Sequence, residues 1–404
     1  MKVLLMTEVF PPRNGGSGRW LWEIYRRLEK PEPIILAGAQ ARDQDFDRTH
    51  SLCVERAAMS FPSWGVVSPS GLACYRQLAQ RAERLIDFHR PTQLHCGKIL
   101  PEGFVAWWLK RRLGMPYLVY VHGEELNIAS GSRELRWMTR RVLTSADRVI
   151  ANSENTAGLL CKTWSVSENQ LRILHPGVDI DRFCPAERDA AVRQRLGWGE
   201  RPVILTVGRL QKRKGQDQLI RAMPKLIQSQ PNLLYSIIGD GPERKTLGRL
   251  VADLGVADSV EFREEVTDDE MVRCYQQCDI FALPNRTVDG DFEGFGMVLL
   301  EAQACGKPVI TGASGGTGEA ICEDRTGRRV DCQRLERLTE SLMALLADPE
   351  TRASMGQRGR EWTTLNFGWE ALTIQAAHFI CGINARPSLL ADEPAPLRRL
   401  RGIE

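Results

Sequence analysis

Two glutamates eight residues apart, Glu293 and Glu301, stand in the stretch DFEGFGMVLLEAQACG, residues 291–306. Glu293 lies in a glycine-bearing loop, and Glu301 lies in the short apolar segment that follows it. The pattern predicts a helix over 296–305, with Gly306 as its C-terminal stop and Pro308 barring continuation. Glu293 is then just ahead of the helix N-terminus and Glu301 is within the helix. Two buried carboxylates are costly unless their oxygens accept hydrogen bonds, for instance from the hydroxyls of a sugar or a ribose. Between them, the helix N-terminus offers free N–H groups and a positive dipole end to a phosphate. Carboxylate, anion cradle, carboxylate is the arrangement that a nucleotide-sugar requires. The alternative is a surface loop that happens to carry two glutamates.

A second set is basic. GRLQKRKG, Gly208 to Gly215, follows an apolar run that reads as a strand. Arg209 sits at the strand's carboxyl end and Lys214 five residues on. An arginine offers paired N–H donors to a diphosphate and a lysine offers a point charge. A solvated basic loop is the competing reading. RNGGSG, Arg13 to Gly18, follows the first strand; Gly15 and Gly16 let backbone approach a ligand, and the next helix start favours an anion. The run is not a GxGxxG fingerprint, and a plain tight turn explains it equally well. His122 in HGEEL ends the strand YLVYV. It could hold a sugar hydroxyl and support charge build-up, or it could cap the next helix. Glu124 and Glu125 could serve an acceptor or cap that helix. GDGP at 239–242 reads as an architectural turn. Asp289-Gly290-Asp291 superficially matches an Asp-x-Asp metal motif, but with basic residues assigned to the phosphates it reads as a polar loop, and no metal is expected.

These loops need strands to position them. Short apolar runs alternate with amphipathic segments throughout, the pattern of a parallel sheet covered on both faces. Strands are expected at 3–6, 33–36, 93–96, 117–121, 148–151 and 171–174. In the second half they are expected at 203–207, 234–238, 260–263, 280–283, 308–311 and 327–330. Pro176, Gly177 and Pro185 in HPGVDIDRFCPAERDA mark the join. The expected organisation is an α/β chain of two doubly wound, Rossmann-like domains. The first covers 1–176 and the second, nucleotide-sugar-binding, covers 177–370. Residues 371–404 form a helix returning to the first domain and a loosely ordered tail from Arg386. Ligands of such sheets sit beyond the carboxyl ends of the strands, which predicts a site in a cleft between the domains.

Composition narrows the partners. No apolar run among the 404 residues reaches membrane-spanning length, and MKVLLMTEVF reads as a buried first strand, not a signal peptide. The eleven cysteines are scattered; Cys274 and Cys278 are one helical turn apart but no second pair completes a metal site. A reduced, cytoplasmic protein is expected. Residues 1–150 hold 22 Lys+Arg against 15 Asp+Glu, while the rest is net acidic, which suits an anionic membrane surface. RELRWMTRRVL (133–143) and WWLKRR (107–112) are basic runs with interspersed Trp and Met, able to lie on anionic lipid or simply to be solvated faces. No nucleic-acid-binding signature is present, so nucleic acid is not an expected partner.

Taken together, the loop after strand one, HGEEL, HPGVDIDRF, GRLQKRKG, GDGP, FEGFGMVLLEAQACGKPVI and SGGTGEAI resemble the retaining glycosyltransferases of family 4, which have the GT-B fold. The matches are spread over most of the chain. The resemblance implies that Arg209 and Lys214 neutralise the donor diphosphate, that Glu293 contacts the donor sugar and that Glu301 holds the ribose. It also implies donor contacts from Gly15, Gly16, Gly208, the loop of Gly294, Phe295, Gly296, Met297 and Val298, and the sugar-contacting His122. The catalytic set so implied is His122, Arg209, Lys214 and Glu293. In this family the leaving phosphate is held to deprotonate the acceptor hydroxyl, so no enzymatic base is needed.

DFEGFGMVLLEA and SGGTGEA look like the donor loops of phosphatidylinositol mannosyltransferases, which suggests GDP-mannose, with a UDP-hexose next. One departure is REEV, Arg263 to Val266, where the family usually has a glycine near the base; Val266 is placed beside the base there. The expected enzyme is a retaining hexosyltransferase acting on a lipid-linked or polysaccharide acceptor, peripheral at the inner membrane face. Its acceptor would be set by loops 59–72 and 127–133. Two rivals are a UDP-sugar epimerase of related fold, which needs acid/base groups on both faces of the sugar, and a non-catalytic nucleotide-sugar-binding protein.

Overall fold

The computed structural model of the chain describes residues 1–381, apart from Asn14 and Pro62. It divides into two compact units, one of residues 1–176 together with the segment from Trp369, the other Gly177–Gly368. The tail expected from Arg386 lies outside the described residues.

In the first unit the order is β1 (Lys2–Thr7), α1 (Gly16–Tyr25), β2 (Glu32–Gly38), α2 (Asp43–Asp47), β3 (Cys53–Ala57), α3 (Pro69–His89) and β4 (Gln93–Cys96). Then come α4 (Phe104–Leu113), β5 (Tyr117–Val121), α5 (Glu124–Ser130), α6 (Arg133–Ser145), β6 (Arg148–Ala151), α7 (Glu154–Trp164) and β7 (Leu171–Ile173). The strands form one parallel sheet in the order β3-β2-β1-β4-β5-β6-β7. Residues 3–6 of β1 and all of β5 are buried, as strands covered on both faces must be. The order reverses between β1 and β4, the place where such sheets receive ligands.

The second unit runs α8 (Ala190–Arg195), β8 (Val203–Val207), α9 (Gln216–Ser229), β9 (Leu234–Ile238), α10 (Arg244–Asp253), β10 (Val260–Arg263) and α11 (Asp268–Gln277). It continues with β11 (Ile280–Leu283), α12 (Met297–Ala304), β12 (Val309–Gly312), β13 (Gly327–Val330), α13 (Leu335–Ala347) and α14 (Pro349–Phe367). Its sheet is parallel, ordered β10-β9-β8-β11-β12-β13, and reverses between β8 and β11. One apolar cluster holds Phe281, Leu299 and Leu300, another Ile204, Leu219 and Tyr235. The chain then returns to the first unit as α15 (Trp369–Cys381), whose Phe379 and Ile380 carbonyls accept from Arg148 and from Gln93 Nε2. The return therefore begins at Trp369, two residues before the expected boundary.

β3 escaped the sequence pattern: CVERA is a short edge strand with only Ala57 buried, so it shows no apolar run. The helix caps are more informative. Helices α3, α6, α7, α11 and α14 begin at Ser68, Ser132, Ser153, Thr267 and Asp348, whose side chains accept from first-turn N–H groups. Helices α1, α5, α9 and α12 begin at Gly15, Gly123, Gly215 and Gly296, with no side-chain cap. These four start on the loops after β1, β5, β8 and β11, at or beside the points of reversal. Their first-turn N–H groups therefore have no acceptor from an N-cap side chain.

Candidate functional site

In the second unit the loop after β8 is clamped from two sides by glycines. Gly215 has φ +76°, and a Cβ there would lie 1.8 Å from the Pro284 carbonyl oxygen, so this loop lies directly on the loop after β11. Gly239 of the GDGP turn would place a Cβ 2.3 Å from the Gly208 oxygen, and Leu210 and Asp240 join through N–H···O at 3.0 Å. GDGP is the backing of the basic loop. Arg286 fixes the loop further: its N–H donates to the Arg213 carbonyl at 2.8 Å, and its guanidinium grips Asp217 through two bonds of 2.8 and 2.9 Å.

This scaffold brings Lys214 and Glu293 into contact, Nζ to Oε2 at 2.7 Å. Arg213 donates to the same oxygen and pairs through Nε with Asp291 Oδ2 at 3.1 Å. Burial pushes the Glu293 carboxyl up, but Lys214 and then Arg213 outweigh it and hold the group below its ordinary value. Glu293 Oε1 has no partner among the described residues, which makes it the oxygen open to a hydroxyl. The Glu293 backbone is pinned by Gly316 N–H at 3.0 Å, and Gly315 has no room for a side chain, since its Cβ would lie 2.1 Å from the Glu293 oxygen. Arg209, in the same basic loop, is exposed and pairs with no carboxylate among the described residues.

Beyond Gly294 and the buried Phe295, Gly296 turns the chain at φ +89° into α12, where Met297 and Val298 occupy the first turn and lack intrahelical acceptors. Glu301, on α12, is buried and accepts from the Tyr275 hydroxyl at 2.6 Å. Asn285, at the end of β11, accepts from Thr311 Oγ1 and Gly312 N–H and donates to the Ser314 carbonyl, tying the loops after β11 and β12 together. Val266 packs on the apolar core of this unit. Arg263 turns away into Glu261 and Glu270.

In the first unit His122 ends β5. Its Nε2 lies 2.8 Å from the Gly97 carbonyl, and a carbonyl only accepts, so Nε2 carries the proton and Nδ1 is the ring's acceptor. Trp20 packs edge-on against the ring at 5.4 Å. The Glu125 carboxylate accepts from the His122 N–H at 2.9 Å, just ahead of α5. Gly15 is extended at φ 166° and, with Gly16, is exposed. The glycine that sterics demand in this turn is Gly18, whose Cβ would lie 2.9 Å from the Val9 oxygen.

Below these lies a cluster at the ends of β1 and β4. Glu102 is fully buried, accepts from the Glu8 N–H at 2.6 Å through Oε1, and has no partner on Oε2. Lys98 Nζ lies 3.3 Å from Glu8 Oε2. Burial pushes Glu102 up to about 7, against the pull of Lys98. Burial pulls Lys98 down, but Glu102 and Glu8 more than restore it.

Among the described residues no three His, Cys, Asp or Glu side chains are grouped to hold a metal ion. Asp291 of the Asp-Gly-Asp run is engaged with Arg213. All eleven cysteines are free, five of them buried.

Residues 14–182 match the family described as Glycosyltransferase Family 4, and residues 189–362 match Glycosyl transferases group 1. A GDP-mannose-dependent alpha-(1-6)-phosphatidylinositol monomannoside mannosyltransferase of Mycolicibacterium smegmatis is 34% identical over 386 residues, covering 94% of this chain and 98% of that one. The chain is a family 4 glycosyltransferase. A further relative of this glycosyltransferase, from Corynebacterium glutamicum, is the GDP-mannose-dependent monoacylated alpha-(1-6)-phosphatidylinositol monomannoside mannosyltransferase, 33% identical, covering 92% of this chain and 95% of that one. Among solved structures, Anabaena HepE in complex with UDP superposes with a TM-score of 0.79 at 22% identity, covering 95% of this chain and all of that one. Sucrose-phosphate synthase of Thermosynechococcus elongatus gives 0.79 at 22%, covering 95% and 99%. The fold is GT-B, built of two Rossmann-like domains.

The residues of this glycosyltransferase that sequence reasoning missed are those whose meaning is their direction. In the run Lys212–Lys214 nothing in the order of residues says that Arg213 turns inward. Asn285 and Tyr275 carry no motif. Glu8 and Glu102 stand 94 residues apart and meet only because β1 and β4 are neighbours.

Proposed function

We propose that this glycosyltransferase moves mannose from GDP-mannose to a hydroxyl of a lipid-linked acceptor of the phosphatidylinositol mannoside kind, with retention at the anomeric carbon. The observation that carries the site is the contact of Lys214 with the buried Glu293, beside Arg209 without an acidic partner among the described residues, where β8 and β11 end. The names of the two mannosyltransferase relatives, similar over nearly the whole chain, support the donor and acceptor class. In this reading Arg209 and Lys214 hold the diphosphate, aided by the N–H groups of Met297 and Val298. Glu293 Oε1 accepts from a sugar hydroxyl, Glu301 from the ribose, and His122 Nδ1 from a further sugar hydroxyl. Gly15, Gly16, Gly208, Gly294, Phe295, Gly296 and Val266 complete the donor contacts through backbone or packing. The acceptor oxygen bonds to the anomeric carbon as the bond to the phosphate oxygen breaks on the same face. The departing electron pair stays on the diphosphate, which takes the acceptor's proton. Side-chain cations neutralise the leaving group, so a metal ion is not required.

The enzyme works at the cytoplasmic face of a membrane in this reading, with α6 and α4 against anionic lipid. No helix of the described residues is long and apolar enough to cross a membrane. On α6, Met138, Val142 and Leu143 are buried, while Arg133, Arg136, Arg140, Arg141 and Trp137 (46% exposed) face outward. None of these arginines is in an ion pair among the described residues. Arg141 stacks on Trp137 and Arg112 on Trp108, arrangements that place an aromatic and a cation together at a headgroup layer.

The test is thermal shift with GDP, UDP and their sugars in chelator, followed by mannose transfer to phosphatidylinositol monomannoside in anionic vesicles. A GDP-series shift with transfer supports the reading. A shift with UDP ligands alone moves the donor to a UDP-hexose. No shift with either series removes the donor assignment. Loss of binding to anionic vesicles in Arg136→Glu/Arg140→Glu tests the membrane face.

A further inference from the structure

Lys214 faces a conflict that the structure resolves with another residue. Its Nζ is 2.7 Å from Glu293 Oε2, yet the donor diphosphate needs the same ammonium. If Lys214 were the sole partner of Glu293, its transfer to the phosphates would strand a buried carboxylate. A stranded carboxylate moves, or takes up a proton and ceases to be a pure acceptor. Arg213 donates to the same oxygen, Oε2, and its guanidinium also faces Asp291 Oδ2 at 3.1 Å. It is as buried as Lys214, and its backbone carbonyl is held by Arg286, itself bidentate on Asp217. Two cations thus share one oxygen, and the second of them is held at its backbone and faces a second carboxylate.

We propose that Arg213 is a positioning residue: it keeps the Glu293 carboxylate fixed and charge-compensated while Lys214 passes from Glu293 to the donor diphosphate, and Asp291 sets the orientation of Arg213. The proposal rests on the assignment of Lys214 and Glu293 to donor binding. It gives the Asp289-Gly290-Asp291 loop a function other than metal binding. Arg213 itself touches no part of the donor. Arg209 has no such counterpart to release among the described residues.

The experiment compares Arg213→Gln, Arg213→Lys, Asp291→Asn and Lys214→Ala for affinity toward GDP and GDP-mannose, and for GDP release during turnover across pH. Lys214→Ala should lose GDP affinity by an order of magnitude or more; unchanged GDP affinity there would sink the donor assignment itself, and with it this proposal. Arg213→Gln should keep GDP affinity within about threefold. It should also lose the preference for GDP-mannose over GDP, lower kcat by about a hundredfold and move the acidic limb of the pH profile upward. Arg213→Lys should recover part of kcat, because it restores a cation. Asp291→Asn, at a half-exposed position, should shift kcat and the limb the same way by a few fold. The idea is overturned if GDP affinity falls in Arg213→Gln as far as in Lys214→Ala, for Arg213 would then bind phosphate directly. It is equally overturned if Arg213→Gln keeps the wild-type sugar preference and pH limb, or, where that variant does not fold, if Asp291→Asn leaves both unchanged.

Discussion

At the carboxyl end of the second sheet two cations close on one carboxylate; at the same end of the first sheet three carboxylates surround one lysine. Glu293 is shared by Lys214 and Arg213, and its carboxyl is held below its ordinary value. Lys98 answers to Glu8, Glu102 and Glu125, and Glu102 is driven up to about 7. Both sheets are parallel and both reverse their strand order at this end, yet the electrostatics are opposite. The second unit presents fixed charge, as suits a constant, highly charged ligand. The first buries a carboxyl that is pushed up to about 7, close to a histidine whose Nε2 donates to a carbonyl. The difference teaches that the fold supplies the place and the loops supply the sign.

The hardest blow to this contrast falls on the second unit's ion pair. Glu293→Ala or Lys214→Ala should lower transfer by about a thousandfold or more while circular dichroism stays near the parent, since each removes a group proposed to meet the reacting sugar or diphosphate; Glu293→Ala, which leaves two buried cations without their carboxylate, should also melt lower. Turnover within a few fold of wild type in both variants would end the site assignment. Next in size is backbone room. Gly215→Ala meets a positive φ and the Pro284 carbonyl oxygen at 1.8 Å, and should cost roughly 3–5 kcal/mol of stability. Gly15→Ala in the first unit meets only Val9 Cγ1 at 3.2 Å with an extended backbone, and should cost under about 1 kcal/mol. Equal melting temperatures for the two would show that the loops of the second unit are not as tightly clamped as their geometry implies.

The first unit is probed by pH. A carboxyl that burial raises from 4.5 to about 7 binds more protons folded than unfolded between those values, so it makes the fold less stable as pH rises through that window. Glu102→Gln should flatten this fall and be the more stable form at pH 8, by something on the order of 2 kcal/mol. Denaturant melts of both proteins at pH 5 and pH 8 provide the check, and parallel curves would deny the raised carboxyl. The smallest effect is expected from Tyr275→Phe, which removes one hydrogen bond from Glu301, on the order of 1 kcal/mol, and should weaken nucleotide binding only a few fold. A calorimetric GDP titration reads it.

The sheets were legible because a strand covered on both faces must be apolar throughout. Val203–Val207 and Tyr117–Val121 show this, and each is buried from end to end. Glycines at forced turns were legible for a similar reason, since Gly296 and Gly306 have positive φ where the sequence placed a helix start and stop. The edge strand Cys53–Ala57 was not, because an exposed strand carries no such signature. Side-chain direction was least legible. Arg213 and Lys214 are adjacent basic residues of one short turn, and only the packed loop shows that both close on Glu293 while Arg209 does not. The Glu8–Lys98–Glu102 group was invisible for a topological reason: it is assembled across a sheet from segments that share no local pattern.

The helix α15 has a consequence for biosynthesis. Gln93 and Arg148, inside the first unit, donate to carbonyls of residues 380 and 379. A nascent chain that has released residues 1–176 from the ribosome therefore still lacks part of that unit. The second unit, residues 177–368, is contiguous and can close while the first waits. A gene fragment ending at residue 176 would encode a first unit without the helix whose carbonyls accept from Gln93 and Arg148.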